Sequence, residues 1–235
     1  MSLLVEARGL SAVGPDGLLF TSVSGTALDG ELTVIVGPPE PRRTALLLAL
    51  SGRFSVTGGS LVTEGERRST RRVQALLRKR VAVAQALPAI GIDVRLRVGE
   101  VLAERRLVCG NRKMSVGSFW DAIELMRMGR PGNDEIVGDL GPVDQLLLSV
   151  ALGYAQHADA IAVADVDGGF GEEDRRFVRI ALGQLAAAGR AVLATSADTG
   201  WGTRRIFLDG AQEAIKIDNQ RLGHRRTSPI KGGGM

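Results

Sequence analysis

The chain has 235 residues, 44% of them apolar and 24% charged, with 30 basic against 26 acidic side chains and a net charge of +4. That is enough length for one large or two small domains with a full core, and too apolar a composition for a disordered chain. The charge excess is too small to imply a nucleic-acid partner, aromatic residues at 4% argue against a base-stacking platform, and the single Cys109 excludes an internal disulfide and fits a reducing compartment.

No apolar run approaches the roughly 20 residues that cross a bilayer. The opening MSLLVEARGL lacks the basic region and apolar core of a signal peptide. Leu3–Leu10 and Leu18–Val23 alternate enough to be edge or antiparallel strands around the turn Gly14-Pro15-Asp16-Gly17. Leu28-Asp29-Gly30-Glu31 turns into Leu32–Val36, a wholly apolar run of the kind that forms a buried parallel strand. Gly37 ends it, and a Leu/Ala-rich helix beginning near Arg43 runs to Ser51-Gly52. Val56–Gly65 reads as turn, strand, turn. Arg67–Arg80 carries seven basic residues interleaved by Val73, Leu76 and Leu77 at helical spacing, which is better read as a short amphipathic helix with a solvated basic face than as a nucleic-acid patch. Val81–Ala84 is a strand ending at Gln85.

From residue 87 to 139 the pattern turns helical, with helices expected over Val94–Arg106 and Ser118–Arg130, the second closed by Pro131-Gly132-Asn133. A helix over Val143–Gln156, a strand over Ala160–Val163 and a helix over Glu172–Ala188 follow, the last with Phe177, Ile180, Ala181, Gln184 and Leu185 on its buried side. Strands over Ala191–Thr195 and Arg205–Leu208 complete the alternation, and the basic, glycine-rich Arg221–Met235 is expected to be a mobile tail. Strands alternating with helices predict an α/β fold with a mainly parallel sheet.

The stretch from Leu32 to Leu50 carries the strongest motif. Strand, glycine turn and helix is the layout of a phosphate-binding P-loop, G-x-x-x-x-G-K-[ST]. Here the frame reads GPPEPRRT, with Gly37 and Thr44 in place, Arg42 where the second glycine belongs and Arg43 where the lysine belongs. Pro38, Pro39 and Pro41 have no N–H to offer a phosphate, and Glu40 brings a like charge. Arg43 keeps a cation without the compact ammonium of lysine. On these residues alone an ordinary strand–turn–helix connection and a degenerate P-loop account for the segment equally well.

The order of the pieces, to about Gly210, resembles the ATP-binding subunit of ABC transporters. That resemblance implies a P-loop NTPase-like core over 1–86 and 140–215, with an antiparallel β edge, a helical subdomain over 87–139, and a basic tail over 216–235. It puts Gln85 at the glutamine that senses the γ-phosphate through a metal. The Leu-Ser-Gly-Gly-Gln signature falls on Leu140-Gly141-Pro142-Val143-Asp144, where only the leucine and the following helix agree. Counting on from Leu140 without a gap places the metal-binding aspartate at Ala164, the catalytic glutamate at Asp165 and the switch histidine at Ala197, with Gly169-Phe170 at the start of the D-loop and Gly171 at its aspartate. A register one residue later would make Asp165 the metal ligand and Val166 the base position, at the expense of the Gly169-Phe170 agreement. The adenine-stacking aromatic falls near Val13, with Phe20 as a weak substitute.

The resemblance therefore implies nucleotide-binding positions at Gly37, Arg42, Arg43, Thr44 and Gln85, and Thr44 and Gln85 as the magnesium-side residues if Mg is bound. It also implies a membrane permease subunit and a second cassette as partners, no nucleic acid, and a cytoplasmic site on the inner face of the membrane. Because the departures touch every catalytic role, it implies a pseudo-ATPase. The alternative is a working or ATP-holding subunit with Arg43 and Asp165 replacing lysine and glutamate. His157 and His224 have no Cys, Asp or Glu cluster at ligand spacing, and Ser149 and Cys109 have no triad context.

Overall fold

The computed structural model describes residues 2–37, 41–64, 69–110 and 114–208. Its body is a five-stranded parallel sheet of β3 (Leu32–Val36), β5 (Val81–Gln85), β6 (Ala160–Val163), β7 (Ala191–Ser196) and β8 (Arg204–Phe207), in the order β5-β6-β7-β3-β8. Beside it lies a three-stranded antiparallel sheet of β1 (Leu3–Gly14), β2 (Gly17–Leu28) and β4 (Gly58–Val62), in the order β2-β1-β4. The helices are α1 (Arg42–Leu50), α2 (Thr70–Arg80), α3 (Val98–Cys109), α4 (Val116–Leu125), α5 (Pro142–Tyr154) and α6 (Glu172–Ala187), with a 3-10 turn at Val137–Asp139.

Every residue of β3 is buried because both faces of the parallel sheet are covered. Alternate side chains enter separate cores. Leu32, Val34, Val36, Ile161, Val163, Val192 and Ala194 pack with α5 and α6, and also with Val98 of α3 and Phe119 of α4. Ile35, Ala160, Ala162 and Leu193 pack on the opposite side with Leu46 and Leu50 of α1, with Val73 and Leu77 of α2, and with the antiparallel sheet. The expected strand–glycine–helix step is present, and β3 lies between β7 and β8.

Several expected boundaries shift, each for a local reason. β1 continues to Gly14 rather than stopping at Leu10, because Gly9, at φ +58°, marks a bulge that breaks the alternation. α3 starts at Val98, not Val94. Asp93 holds the backbone N–H of Arg95 in a turn, and the Glu100 carboxylate accepts the Arg97 N–H to open the helix four residues later. α4 ends at Leu125 rather than Arg130, because Arg127 takes the left-handed conformation, φ +56°, that usually calls for glycine just past a helix. In α6 the buried side is Val178, Ala181, Leu182, Leu185 and Ala186, while Ile180 is exposed, so the face is turned from the expected one.

Candidate functional site

In a parallel sheet the turns after the C-terminal strand ends gather on one edge, and ligands of open α/β folds bind there. Here that edge collects Gly37 after β3, Gln85 ending β5, Ala164 and Asp165 after β6, and Ala197 after β7. Gly37 has a packing reason to be glycine: a Cβ there would lie 2.6 Å from the Leu208 Cβ. Pro38, Pro39 and Glu40 lie outside the described residues.

α1 begins with two arginines and no acidic residue in its first turn, the unfavourable sign for the positive end of a helix dipole. They are placed differently. Arg42 is exposed, whereas Arg43 is only 3% exposed and its Nη2 donates to Asp165 Oδ1 at 3.4 Å. The structure thus brings Arg43 and Asp165 together across 122 residues of chain. Thr44, next along, is half-buried.

The two positions after β6 diverge just as sharply. Ala164 is 2% exposed, its methyl belongs to the α1-side core, and its N–H donates to the Gln85 carbonyl at 2.9 Å, extending the strand pairing by one residue. Asp165 turns out of the strand with φ +55°, its N–H donates to Thr195 Oγ1 at 2.8 Å, and its carboxylate side chain remains 45% exposed. Gly168 leaves room for this carboxylate, since a Cβ at 168 would lie 2.0 Å from Asp165 Oδ2 and would displace it. Val166 is fully buried.

Asp167, which the sequence reading does not single out, organises the same edge. Its Oδ2 accepts from Ser196 Oγ at 2.7 Å, from the Ala197 N–H at 2.8 Å and from the Asp198 N–H at 3.2 Å. Oδ1 is buried and meets no donor. The exposed Ala197 therefore belongs to a turn fastened to the loop after β6. The only sequence signal for this is an acidic residue two places beyond Asp165 followed by Gly168-Gly169, and it does not say which turn needs the acceptor.

A mostly apolar cavity of about 570 Å³ opens beside α1, between the β1–β2 turn (Asp16, Leu18), the α1 residues Arg42, Thr44 and Leu48, and the segment after Gln85 that includes Leu87. Val13, at 53% exposure, presents no aromatic face, and Phe20 is only 2% exposed within the core. Burial thus rules out the expected substitution of Phe20 for a stacking aromatic. At the signature position, α5 opens with Pro142 at its first turn, and Gln145 Nε2 donates back to the Leu140 carbonyl at 2.8 Å. Burial and the neighbouring Glu135 raise the Asp144 carboxyl above the usual carboxylate range. This helix N-terminus therefore presents a carboxyl group where an anion would otherwise approach N–H donors.

The magnesium ion implied by the resemblance has a poor donor set here. Ala164 supplies no oxygen, the Asp165 carboxylate faces a guanidinium, and among the described residues no three His, Cys, Asp or Glu side chains cluster. Thr44 and Gln85 would contribute only neutral oxygens, which do not by themselves fit a divalent cation. Ser149 is buried and donates to the Gln145 carbonyl, so it is not a nucleophile. Of the basic stretch, Arg71, Arg72, Arg78 and Lys79 are exposed on α2, while Arg67, Arg68, His224 and the tail lie outside the described residues. No helix among the described residues is long and apolar enough to cross a membrane.

The sequence matches no family model and no curated protein. Solved structures do match. A nucleotide-free ATP-binding cassette from an ABC transporter aligns with a TM-score of 0.70 at 12% identity, covering 97% of this chain and 100% of that one. A dimeric ATP-binding cassette in a post-hydrolysis state, bound to ADP and Pi, aligns at 0.68 and 14% identity over 87% of this chain and 94% of that one. The cbiO1 protein of Clostridium perfringens, part of the ABC transporter complex cbiONQ, aligns at 0.65 and 13% identity over 97% of this chain and 100% of that one. Likenesses at such identities speak to the fold, which is that of an ABC transporter ATP-binding cassette.

Proposed function

We propose that this chain is a degenerate ATP-binding-cassette subunit of a membrane transport complex, structural or regulatory in role, with little or no ATP hydrolysis. The observation that carries the reading is the pairing at the sheet edge. The arginine in the lysine position is buried against Asp165, and the adjacent Ala164 gives its side chain to the core. Phosphoryl transfer relies on positioning and on neutralising charge with a metal and fixed donors. A guanidinium engaged with a carboxylate and an alanine without oxygen supply little of either. Its partners are a membrane permease subunit and a second cassette, in a homo- or heterodimer, and it acts on the cytoplasmic face of the membrane. Residues 87–139 form its helical subdomain, and the surface near Gln85 meets the permease.

A second reading has one specific observation behind it, the 3.4 Å contact between Arg43 and Asp165. There the pair stands in for lysine and glutamate, and ATP and Mg are bound and turned over. Steady-state ATP hydrolysis by the purified chain separates the two. The expected result is no magnesium-dependent turnover above background and weak or no ATP binding. Turnover that depends on magnesium and vanishes in Arg43→Ala would establish the second reading in place of the first.

A further inference from the structure

We infer that the cavity at the N-terminal edge of the parallel sheet, walled by Arg53, Arg78 and Lys79, binds a small, multiply charged phosphate anion. This edge is opposite the one that carries Gly37 and Asp165. The cavity measures about 700 Å³, within the range of ligand sites, and Cys109, His157 and Val81 complete its wall with no Asp or Glu.

The cationic wall is built by backbone packing. Gly52, at φ +77°, lets the end of α1 press against α2, and a Cβ there would lie 2.1 Å from the Gln74 carbonyl oxygen. That approach puts Arg53 next to Arg78. Arg53 is held by donating from Nη1 to the Ser51 carbonyl at 3.0 Å and from Nη2 to the Arg78 carbonyl at 3.4 Å. Partial burial, and then the positive charge of Arg78, lower the Arg53 pKa.

No carboxylate among the described residues relieves these cations. Among the described residues, Arg53, Arg78 and Lys79 form no ion pair. The nearby carboxylate of Asp159 is taken by Arg80 at 2.5 Å. The ends of α1, α2, α3 and α5 also face this region, and a helix C-terminus carries about half a negative charge. Four such ends oppose three full positive charges with about two negative ones, and many of their carbonyls are already hydrogen-bonded, so the surplus stays positive. A compact anion with several oxygens matches that surplus and the fork geometry of arginine. The site is separate from the ATPase question and stands whichever reading of that question holds.

Inorganic pyrophosphate is the probe, added to the full chain at low ionic strength. Cys109 is the sole cysteine and lines the cavity, so its alkylation by a neutral maleimide reports occupancy directly. Pyrophosphate should slow that alkylation at least fivefold. The double variant Arg78→Gln/Lys79→Gln, at exposed positions, should weaken pyrophosphate binding by calorimetry at least tenfold. Arg179→Gln, at an exposed position of α6, should leave it unchanged, and circular dichroism confirms that each variant is folded. An unchanged alkylation rate, an affinity insensitive to the double variant, or equal loss in Arg179→Gln would each overturn the site. So would displacement of pyrophosphate by a 20-base-pair duplex DNA whose own binding falls steeply with salt, since that assigns the basic face of α2 to nucleic acid.

Discussion

The body of the parallel sheet and the turns at its C-terminal edge follow different chemical rules. Within the central strands β3, β6 and β7 every position is apolar or a small buried hydroxyl, and alternate side chains serve two dense cores. In the turns that follow the strand ends, the character inverts. Arg43 is buried, Asp165 takes a left-handed backbone, Asp167 hides a carboxylate, and Ala164 carries no polar group at all. The fold is thus secured by one set of residues, and chemistry at the edge would have to come from another. A chain can hold a cassette architecture in full while its edge turns serve internal ion pairs and caps.

Substitutions can break this contrast. The largest effect is expected in the body: Leu47→Ala, at a fully buried position of α1, should cost about 2–5 kcal/mol in denaturant unfolding. Next comes Asp167→Ala, which takes the acceptor from the Ala197 N–H and one of two acceptors from both the Asp198 N–H and the Ser196 hydroxyl, at about 1–3 kcal/mol. Asp167→Asn keeps an acceptor and should lose less than half as much, and an equal loss would mean the charge rather than the cap matters. Arg43→Ala removes one partner of a pair whose other member is half exposed, so about 1–2 kcal/mol is expected, smaller than for a wholly buried pair.

The smallest effect depends on pH. The Asp144 carboxyl titrates above its usual range when folded, so the folded state holds its proton more tightly than the unfolded state. Its contribution is therefore most favourable at acid pH and declines as pH rises through the raised value. Asp144→Asn should flatten that decline and leave the protein slightly more stable at pH 7, by about 0.5 kcal/mol in paired thermal melts. A variant less stable than the parent at pH 7 would show that the carboxylate is useful at the start of α5.

Apolar runs bounded by Gly37 and by Asp209-Gly210 made the parallel strands legible, and β3 and β6 match their expected limits. Boundaries failed where a backbone conformation common in glycine fell on another residue, as at Arg127, or where a bulge changed the register, as at Gly9. The α6 face turned because Val178 and Leu182 outcompete Ile180 for the sheet. At the edge, the departures at Arg42, Arg43, Ala164 and Ala197 were readable as residue types. The Arg43–Asp165 contact and the Asp167 cap were not, because they join segments 122 and about 30 residues apart through side chains that local spacing does not pair.

The Asp167 cap also has a kinetic face. The amides of Ala197 and Asp198 meet on one Asp167 oxygen, and the Ser196 hydroxyl to which the Asp198 amide also donates is bonded to that same oxygen, so neither amide is released to solvent by a small motion of the turn alone. Their hydrogen exchange should be correlated and should follow the opening of the loop after β6 rather than the fraying of β7. Any message crossing this edge would then travel as a single block, in which two loops move together or not at all.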